Sequence, residues 1–129
     1  MPELILKKPR PVWYNLSPLN LPVPGLVSIF HRISGLFLVL GLVWLLYLLD
    51  LSLGSESGFQ HFLGYMKHPI AKLGMLVLLW SFLHHLCAGI RYLLLDMHIG
   101  IELRTARFTS FVVFAVSLAA TLILGAMLW

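Results

Sequence analysis

The residues of this sequence that could do chemistry are hydroxyl, imidazole and charged side chains set in or beside long apolar runs. Ionisable groups in such runs are costly to bury and usually have a function. At helical spacing they share two faces: Ser28, His31, Arg32 and Gly35 on the first, and Ser81, His85, Gly89, Tyr92 and Asp96 on the second. A second helix that returns alongside the first brings the two faces to the same level, so they are expected to meet.

His85 has the surroundings of a haem ligand. Ser81 and Gly89 lie one helical turn before and after it, and such small side chains leave room for a flat macrocycle. Imidazole is a common axial ligand of haem iron. His84 lies one helical turn after Trp80, on a more crowded face of the helix, so His85 is the preferred ligand. The alternative is that either histidine only forms hydrogen bonds across helices.

Ser28 and Arg32 predict a site for a ligand with a polar head and an apolar tail. Together with His31 they place a hydroxyl, a guanidinium and an imidazole on one face at a membrane boundary. A quinone is such a ligand. In the alternative interpretation, Ser28 satisfies backbone groups in a first helical turn and Arg32 extends toward the head groups.

Two further residues have structural interpretations. Asp96 could pair with Arg91 or Arg104 at the end of the second helix. Cys87 is expected to pack or to face lipid. Because it is the only cysteine, the chain forms no intrachain disulfide and no covalent Cys-x-x-Cys-His haem site, and it has too few thiolates for an iron–sulfur cluster.

The apolar runs predict membrane-spanning helices. With 60% hydrophobic and 11% charged residues, the chain lies outside the soluble balance of roughly 45–50% apolar and about 25% charged. Helices of about 20 residues or more are long enough to cross a bilayer. We therefore predict an all-α integral membrane protein with three transmembrane helices in a bundle, at about residues 28–50, 69–96 and 106–129.

Two shorter segments complete the predicted organisation. Phe59, Phe62, Leu63 and Met66 recur at helical spacing and predict an interfacial helix at about residues 57–66. Residues 1–27 are basic and proline-rich, which predicts an extended cytoplasmic segment ahead of a membrane domain over 28–129. They do not have the pattern of a signal peptide.

The distribution of basic residues predicts the orientation of the bundle. Seven lysines and arginines fall on one side of the predicted membrane and two on the other. The first set is Lys7, Lys8, Arg10, Arg32, Arg91, Arg104 and Arg107, and the second is Lys67 and Lys72. Basic residues accumulate on the inner side, so the N-terminus is predicted inside and the C-terminus outside.

Several classes of function are disfavoured by the pattern. The basic residues form no stripe and no stacking platform for nucleic acid. Internal repeats typical of transporters and a filter sequence typical of channels are both missing from the sequence. Three classes are kept as alternatives: a redox subunit with a bound cofactor, a structural membrane subunit without one, and, with the weakest support, a channel or transporter subunit.

The sequence resembles the cytochrome b subunit of bacterial and mitochondrial succinate dehydrogenases. The resemblance covers the whole chain, including its three spans. It rests on Arg10-Pro11-Val12, Asn15-Leu16, Ser28-Ile29-Phe30-His31-Arg32-Ile33-Ser34-Gly35, His85, Gly89-Ile90-Arg91 and Asp96.

The resemblance implies a role for each candidate residue. His85 would be one axial ligand of a b-type haem whose other ligand comes from a second small membrane subunit. Ser28 and Arg32 would border the ubiquinone site, and His31 and Arg32 would lie near the haem propionates. Succinate would be oxidised on a partner subunit.

The resemblance also implies partners and a location. A flavoprotein subunit and an iron–sulfur subunit would dock on the inner face of the membrane anchor. The expected location is a bacterial inner membrane, ahead of a mitochondrial inner membrane. Two alternatives have the same architecture: the anchor of a quinol:fumarate reductase running in the opposite direction, and a structural subunit without a cofactor.

Overall fold

A computed structural model describes residues 21–128 and contains four helices in that range. They are α1 (Val23–Gly54), α2 (Glu56–Met66), α3 (Pro69–Asp96) and α4 (Leu103–Leu128). Three of them, α1, α3 and α4, are long and apolar enough to cross a membrane. The predicted all-α architecture with three candidate spans is therefore confirmed, whereas the orientation stays a prediction. Most of the predicted N-terminal segment 1–27 lies outside the described residues.

The helices begin where the local sequence permits it. The α1 helix starts at Val23, earlier than predicted, because Pro24 falls in the first turn, where a missing N–H costs no helical hydrogen bond. The α2 helix is capped by Ser55, whose Oγ accepts a hydrogen bond from the Gly58 N–H at 3.0 Å. It covers nearly the same residues as the predicted interfacial helix.

The three long helices form one bundle with alternating directions. The α1 and α3 helices are antiparallel, since His31 lies beside His85 while Leu78 lies against Gly41 farther along. The α4 helix runs back along α3, with Ser117 beside His84. Consequently α1 begins, α3 ends and α4 begins at the same end of the bundle, which we call the site end.

Small side chains hold the helices close together. The buried residues of α1 are spaced seven apart, which is the heptad spacing of helices that pack at a shallow angle. They are Val27, Ser34, Gly41 and Leu48. A Cβ added to Gly41 would collide with the side chain of Leu78, so the glycine makes the space on α1 into which this α3 side chain packs.

The outer surface of the bundle is strongly apolar. Large hydrophobic side chains such as Val39, Val43 and Leu122 are each at least 65% exposed. A surface of this kind is stable in hydrocarbon and would associate in water. The fold therefore agrees with a protein whose solvent is the lipid bilayer.

The loop between α3 and α4 turns through two residues with positive φ. His98 has φ 62° and Gly100 has φ 80°. The Ile99 N–H donates to the Leu94 carbonyl at 2.9 Å, which closes the end of α3 in a Schellman-like arrangement. The tight turn sends α4 directly back along α3 and so fixes the geometry of the site end.

Candidate functional site

The structure brings the two predicted faces together at one pair of histidines. The rings of His31 on α1 and His85 on α3 are stacked, with centroids 4.0 Å apart and an interplanar angle of 15°. Both side chains are half-buried. The expected meeting of the two faces is therefore confirmed for these residues.

Hydrogen bonds around His85 determine which ring nitrogen carries the proton. The Nδ1 atom lies 3.0 Å from the His31 carbonyl oxygen, and a carbonyl can only accept. Nδ1 is therefore the donor. Ser34 Oγ lies 3.2 Å from the same nitrogen and donates its own proton to the His31 carbonyl at 2.9 Å. The Nε2 atom keeps its lone pair, which is the form of imidazole that binds a metal.

Ser34 was not singled out as a site residue from the sequence. Its side chain is fully buried between α1 and α3 and completes the hydrogen bonds of His85 Nδ1. The available signal was a serine three residues after His31, on the same helical face. Such serines usually bond to their own helix, so the spacing alone does not reveal a contact with α3.

Two glycines lie close to the histidine pair. A Cβ on Gly35 would lie 3.0 Å from His85 Cε1, so only a glycine lets the ring approach α1 this closely. A Cβ on Gly89 would have His31 Nε2 as its nearest neighbour, at an ordinary contact distance of 3.8 Å. Tyr92 packs edge-on against His31 with centroids 5.2 Å apart. The predicted combination of small residues and imidazoles thus forms one cluster on α1 and α3.

His84 occupies a different environment, as the sequence predicted. It is fully buried in the bundle, where its ring stacks on Trp80 at 5.2 Å and contacts Phe114 at 5.1 Å. Its Nδ1 lies 3.4 Å from Ser117 Oγ, and its Nε2 has no hydrogen-bond partner in the described chain. Nothing as large as a macrocycle could reach this ring without separating the helices.

Ser81 also lies inside the helix interface. It is fully buried, and its Oγ has no hydrogen-bond partner among residues 21–128. Of the two small residues that flank His85 in the sequence, Gly89 is the one that lies beside the histidine pair.

Ser28 and Arg32 lie near the site end of α1 with unused donors. Ser28 is half-buried and Arg32 is exposed. Neither side chain makes a hydrogen bond or an ion pair within the described part of the chain. Ser28 differs in this from Ser34 and Ser110, whose hydroxyls donate to carbonyls of their own helices. The structure does not place either residue in contact with the His85 ring.

The possible pairing of Asp96 with Arg91 or Arg104 is wrong. Asp96 is exposed, and within residues 21–128 it forms no ion pair with either arginine. Arg91 is buried and donates instead to α4, from Nε to Thr109 Oγ1 at 3.1 Å. The reason is helical geometry, since five residues rotate Asp96 about 140° away from Arg91.

Fold and site together define a class: a bundle of three candidate membrane spans with a half-buried pair of stacked histidines between two of them. Residues 7–124 match the family described as Succinate dehydrogenase/Fumarate reductase transmembrane subunit. The chain belongs to this family.

Curated relatives in three bacteria support the same assignment. A "Succinate dehydrogenase cytochrome b556 subunit" of Coxiella burnetii is 34% identical, covering 93% of this chain and 97% of the relative. Proteins with the same description in Paracoccus denitrificans and Rickettsia felis are 31% and 28% identical, covering 78% and 89% of this chain and 78% and 90% of the relatives. The resemblance to cytochrome b subunits of succinate dehydrogenase is therefore confirmed over nearly the whole chain.

Proposed function

We propose that this chain carries one side of a b-type haem and borders a quinone site in a succinate:quinone oxidoreductase. The observation that supports the haem assignment most strongly is the hydrogen bond between His85 Nδ1 and the His31 carbonyl. Nδ1 donates to this carbonyl at 3.0 Å, so His85 Nε2 is the free metal-binding atom. Bound haem would supply one-electron redox chemistry, which the described side chains do not provide.

The surroundings of His85 fit a haem ligand. The backbone carbonyl of His31 fixes the orientation and the tautomer of the ring, as outer hydrogen bonds do in metal sites. Gly35 has no side chain, which leaves the room on α1 that the His85 ring occupies. The chain thus holds the imidazole in one position before iron binds.

In the proposal, His85 would be the residue of this chain that holds the haem iron. His31 stacks on His85 at 4.0 Å, so it would lie beside this ligand and would not serve as a second one. The other ligand is assigned to a second small membrane subunit. His31 and Arg32 then lie on the side of the propionates, where cationic or donating groups stabilise carboxylates.

The remaining redox centres belong to partner subunits. With one cysteine, the chain lacks the thiolates of an iron–sulfur cluster. A flavoprotein subunit would oxidise succinate, and an iron–sulfur subunit would pass electrons to the membrane anchor. In the proposed topology these subunits bind the site end of the bundle, on the cytoplasmic face of a bacterial inner membrane.

Ser28 and Arg32 are proposed to bind the quinone head group. A quinone that takes up two electrons and two protons becomes a quinol, and negative charge develops on its oxygens before the protons arrive. A guanidinium in a water-poor site stabilises that charge. Ser28 lies one helical turn from Arg32, and its Oγ donates to no other residue among 21–128, so both residues could reach one head group.

Purification of the complete complex in mild detergent tests the proposal as a whole. The expected preparation contains flavoprotein and iron–sulfur subunits and shows a reducible b-type spectrum. A colourless preparation without those partners, obtained under conditions that retain the subunits of a known complex of the same class, would contradict the proposal.

Measuring quinone reduction and succinate oxidation separately distinguishes a quinone-binding role of Ser28 and Arg32 from a structural role. Arg32→Leu and Ser28→Ala are expected to lower succinate-driven quinone reduction, by about 10²–10³ for loss of one oriented donor. Succinate oxidation with a soluble artificial acceptor should stay near the wild-type value per flavin. Arg107→Leu, an exposed arginine at the same end, and Ser52→Ala, a hydroxyl at the other end, are the matched controls. Proportional loss of both activities would refute the assignment.

A further inference from the structure

Arg91 is a buried charge that the histidine site does not use. It is 6% exposed, and its Nη2 donates to the Ala106 carbonyl at 3.2 Å in addition to the bond from Nε to Thr109. The Tyr92 ring lies 5.6 Å from Cζ. Among residues 21–128 no carboxylate lies within ion-pair distance of this guanidinium. The positive charge is met only by neutral groups, which is an incomplete compensation for a buried cation.

A cavity of about 340 Å³ lies beside the guanidinium, between α3 and α4. Along α3 it extends from Cys87 to Leu95, which is roughly 12 Å at the rise of a helix. Its polar lining residues all lie in the half nearest the α3–α4 loop. They are Arg91, Thr105 and Thr109. The other half, toward the middle of the bundle, is lined by Cys87, Val112, Val113 and Val116.

This α3–α4 groove opens on the outside of the bundle. Ile90 and Val116 on its walls are 51% and 49% exposed, so the groove is in contact with the surroundings of the protein. It lies on a different side of α3 from His85, which faces α1. A molecule in the groove would not compete with a ligand at the histidine pair.

We propose that the α3–α4 groove binds one anionic phospholipid, with its phosphate at Arg91 and an acyl chain running toward Val116. The occupant must supply a negative charge at the site end and apolar surface toward the middle of the bundle. A phosphate offers several acceptor oxygens to the planar guanidinium. Thr105 Oγ1, which has no hydrogen-bond partner in the described part of the chain, is an additional donor. The exposed Arg104 and Arg107 strengthen the positive potential at this end. The inference does not depend on the proposed quinone site.

Native mass spectrometry of the complete complex, with phosphatidylglycerol as the probe, tests this inference. After delipidation and titration, the wild-type complex should bind one phosphatidylglycerol more tightly than the rest. Arg91→Gln should weaken this binding about ten- to a hundredfold, which corresponds to loss of a charge-assisted hydrogen bond. Arg91→Lys should weaken it less, because the charge is kept.

A substitution in the apolar half of the groove tests the proposal even if the Arg91→Gln complex does not assemble. Val116→Trp fills the groove from an exposed position and should abolish the tight binding. Val43→Trp, at another exposed position on α1, should leave it unchanged. Tight binding retained in Val116→Trp would overturn the proposal, and so would tight binding retained in an assembled Arg91→Gln complex.

Competing probes identify what the groove recognises. Phosphatidylcholine should bind more weakly than phosphatidylglycerol, because its quaternary ammonium cancels the charge of the phosphate. Inorganic phosphate alone should not displace phosphatidylglycerol, because it has no chain for the apolar half. Equal binding of phosphatidylcholine, or displacement by inorganic phosphate or by oleate at the same concentration as the lipid, would show that an anionic phospholipid is not the specific occupant.

Discussion

Replacing Gly35 by alanine is expected to disturb His85 without removing any of its ligating atoms. The new Cβ would lie 3.0 Å from His85 Cε1 and 3.4 Å from Nδ1, so the ring must move by a few tenths of an ångström. The ring is held by the 3.0 Å bond to the His31 carbonyl and by the stack at 4.0 Å. Overpacking costs about 1–3 kcal/mol, and replacing a helical glycine returns roughly 1 kcal/mol. We expect a net destabilisation of about 0–2 kcal/mol.

The haem should report this displacement more clearly than the unfolding transition does. A longer Nδ1–O distance weakens the hydrogen bond that makes Nε2 a good donor, so the midpoint potential of the haem should rise. Redox titration and low-spin electron paramagnetic resonance of the purified complex measure the effect. In Gly89→Ala the added Cβ meets His31 Nε2 at 3.8 Å, so the chain itself has room for it and His85 should stay in place. A Gly35→Ala complex with wild-type potential and spectrum would refute the reasoning.

Three further predictions concern packing and topology. Gly41→Val should lower the unfolding temperature of the complex, because its Cβ would collide with Leu78, and a Leu78→Ala background should restore part of the loss in a double-mutant cycle. His84→Phe should keep or raise thermal stability, because it replaces a buried nitrogen that has no partner in the described chain. His84→Ala should instead lower the free energy of unfolding by about 3 kcal/mol, because it leaves a cavity. Equal stability of the two variants would contradict this expectation. Reporter fusions should be active on the inside at position 10 and on the outside after Trp129, and the opposite pattern would reverse the predicted orientation.

The general architecture could be predicted because it depends on patterns that are local in the sequence. Long uncharged runs define three spans, and the spacing of Phe59 and Phe62 defines α2. The meeting of His31 with His85 also followed, because antiparallel helices bring their site ends to one level. The crowded environment of His84 could also be predicted, because His84 and Trp80 lie on the same face of the helix.

The hydrogen bonds of the site could not be predicted in the same way. Whether Ser34 reaches His85 depends on how far α1 is rotated about its own axis, and a rotation by one residue would turn it away. One interpretation of the sequence paired Asp96 with Arg91 or Arg104 at the end of the second helix. The actual partners of Arg91, Thr109 and the Ala106 carbonyl, lie on α4, and only the packed structure shows which face of α3 meets that helix.

Chemical rescue of a ligand deletion tests the central claim most directly. His85→Gly removes the proposed ligand and leaves a space about the size of imidazole beside Gly35. The assembled complex should lose its low-spin b-type signal and regain it when imidazole is added, while His84→Gly should keep the signal without imidazole. A His85→Gly complex that retains the wild-type low-spin signal without added imidazole would show that His85 is not the haem ligand.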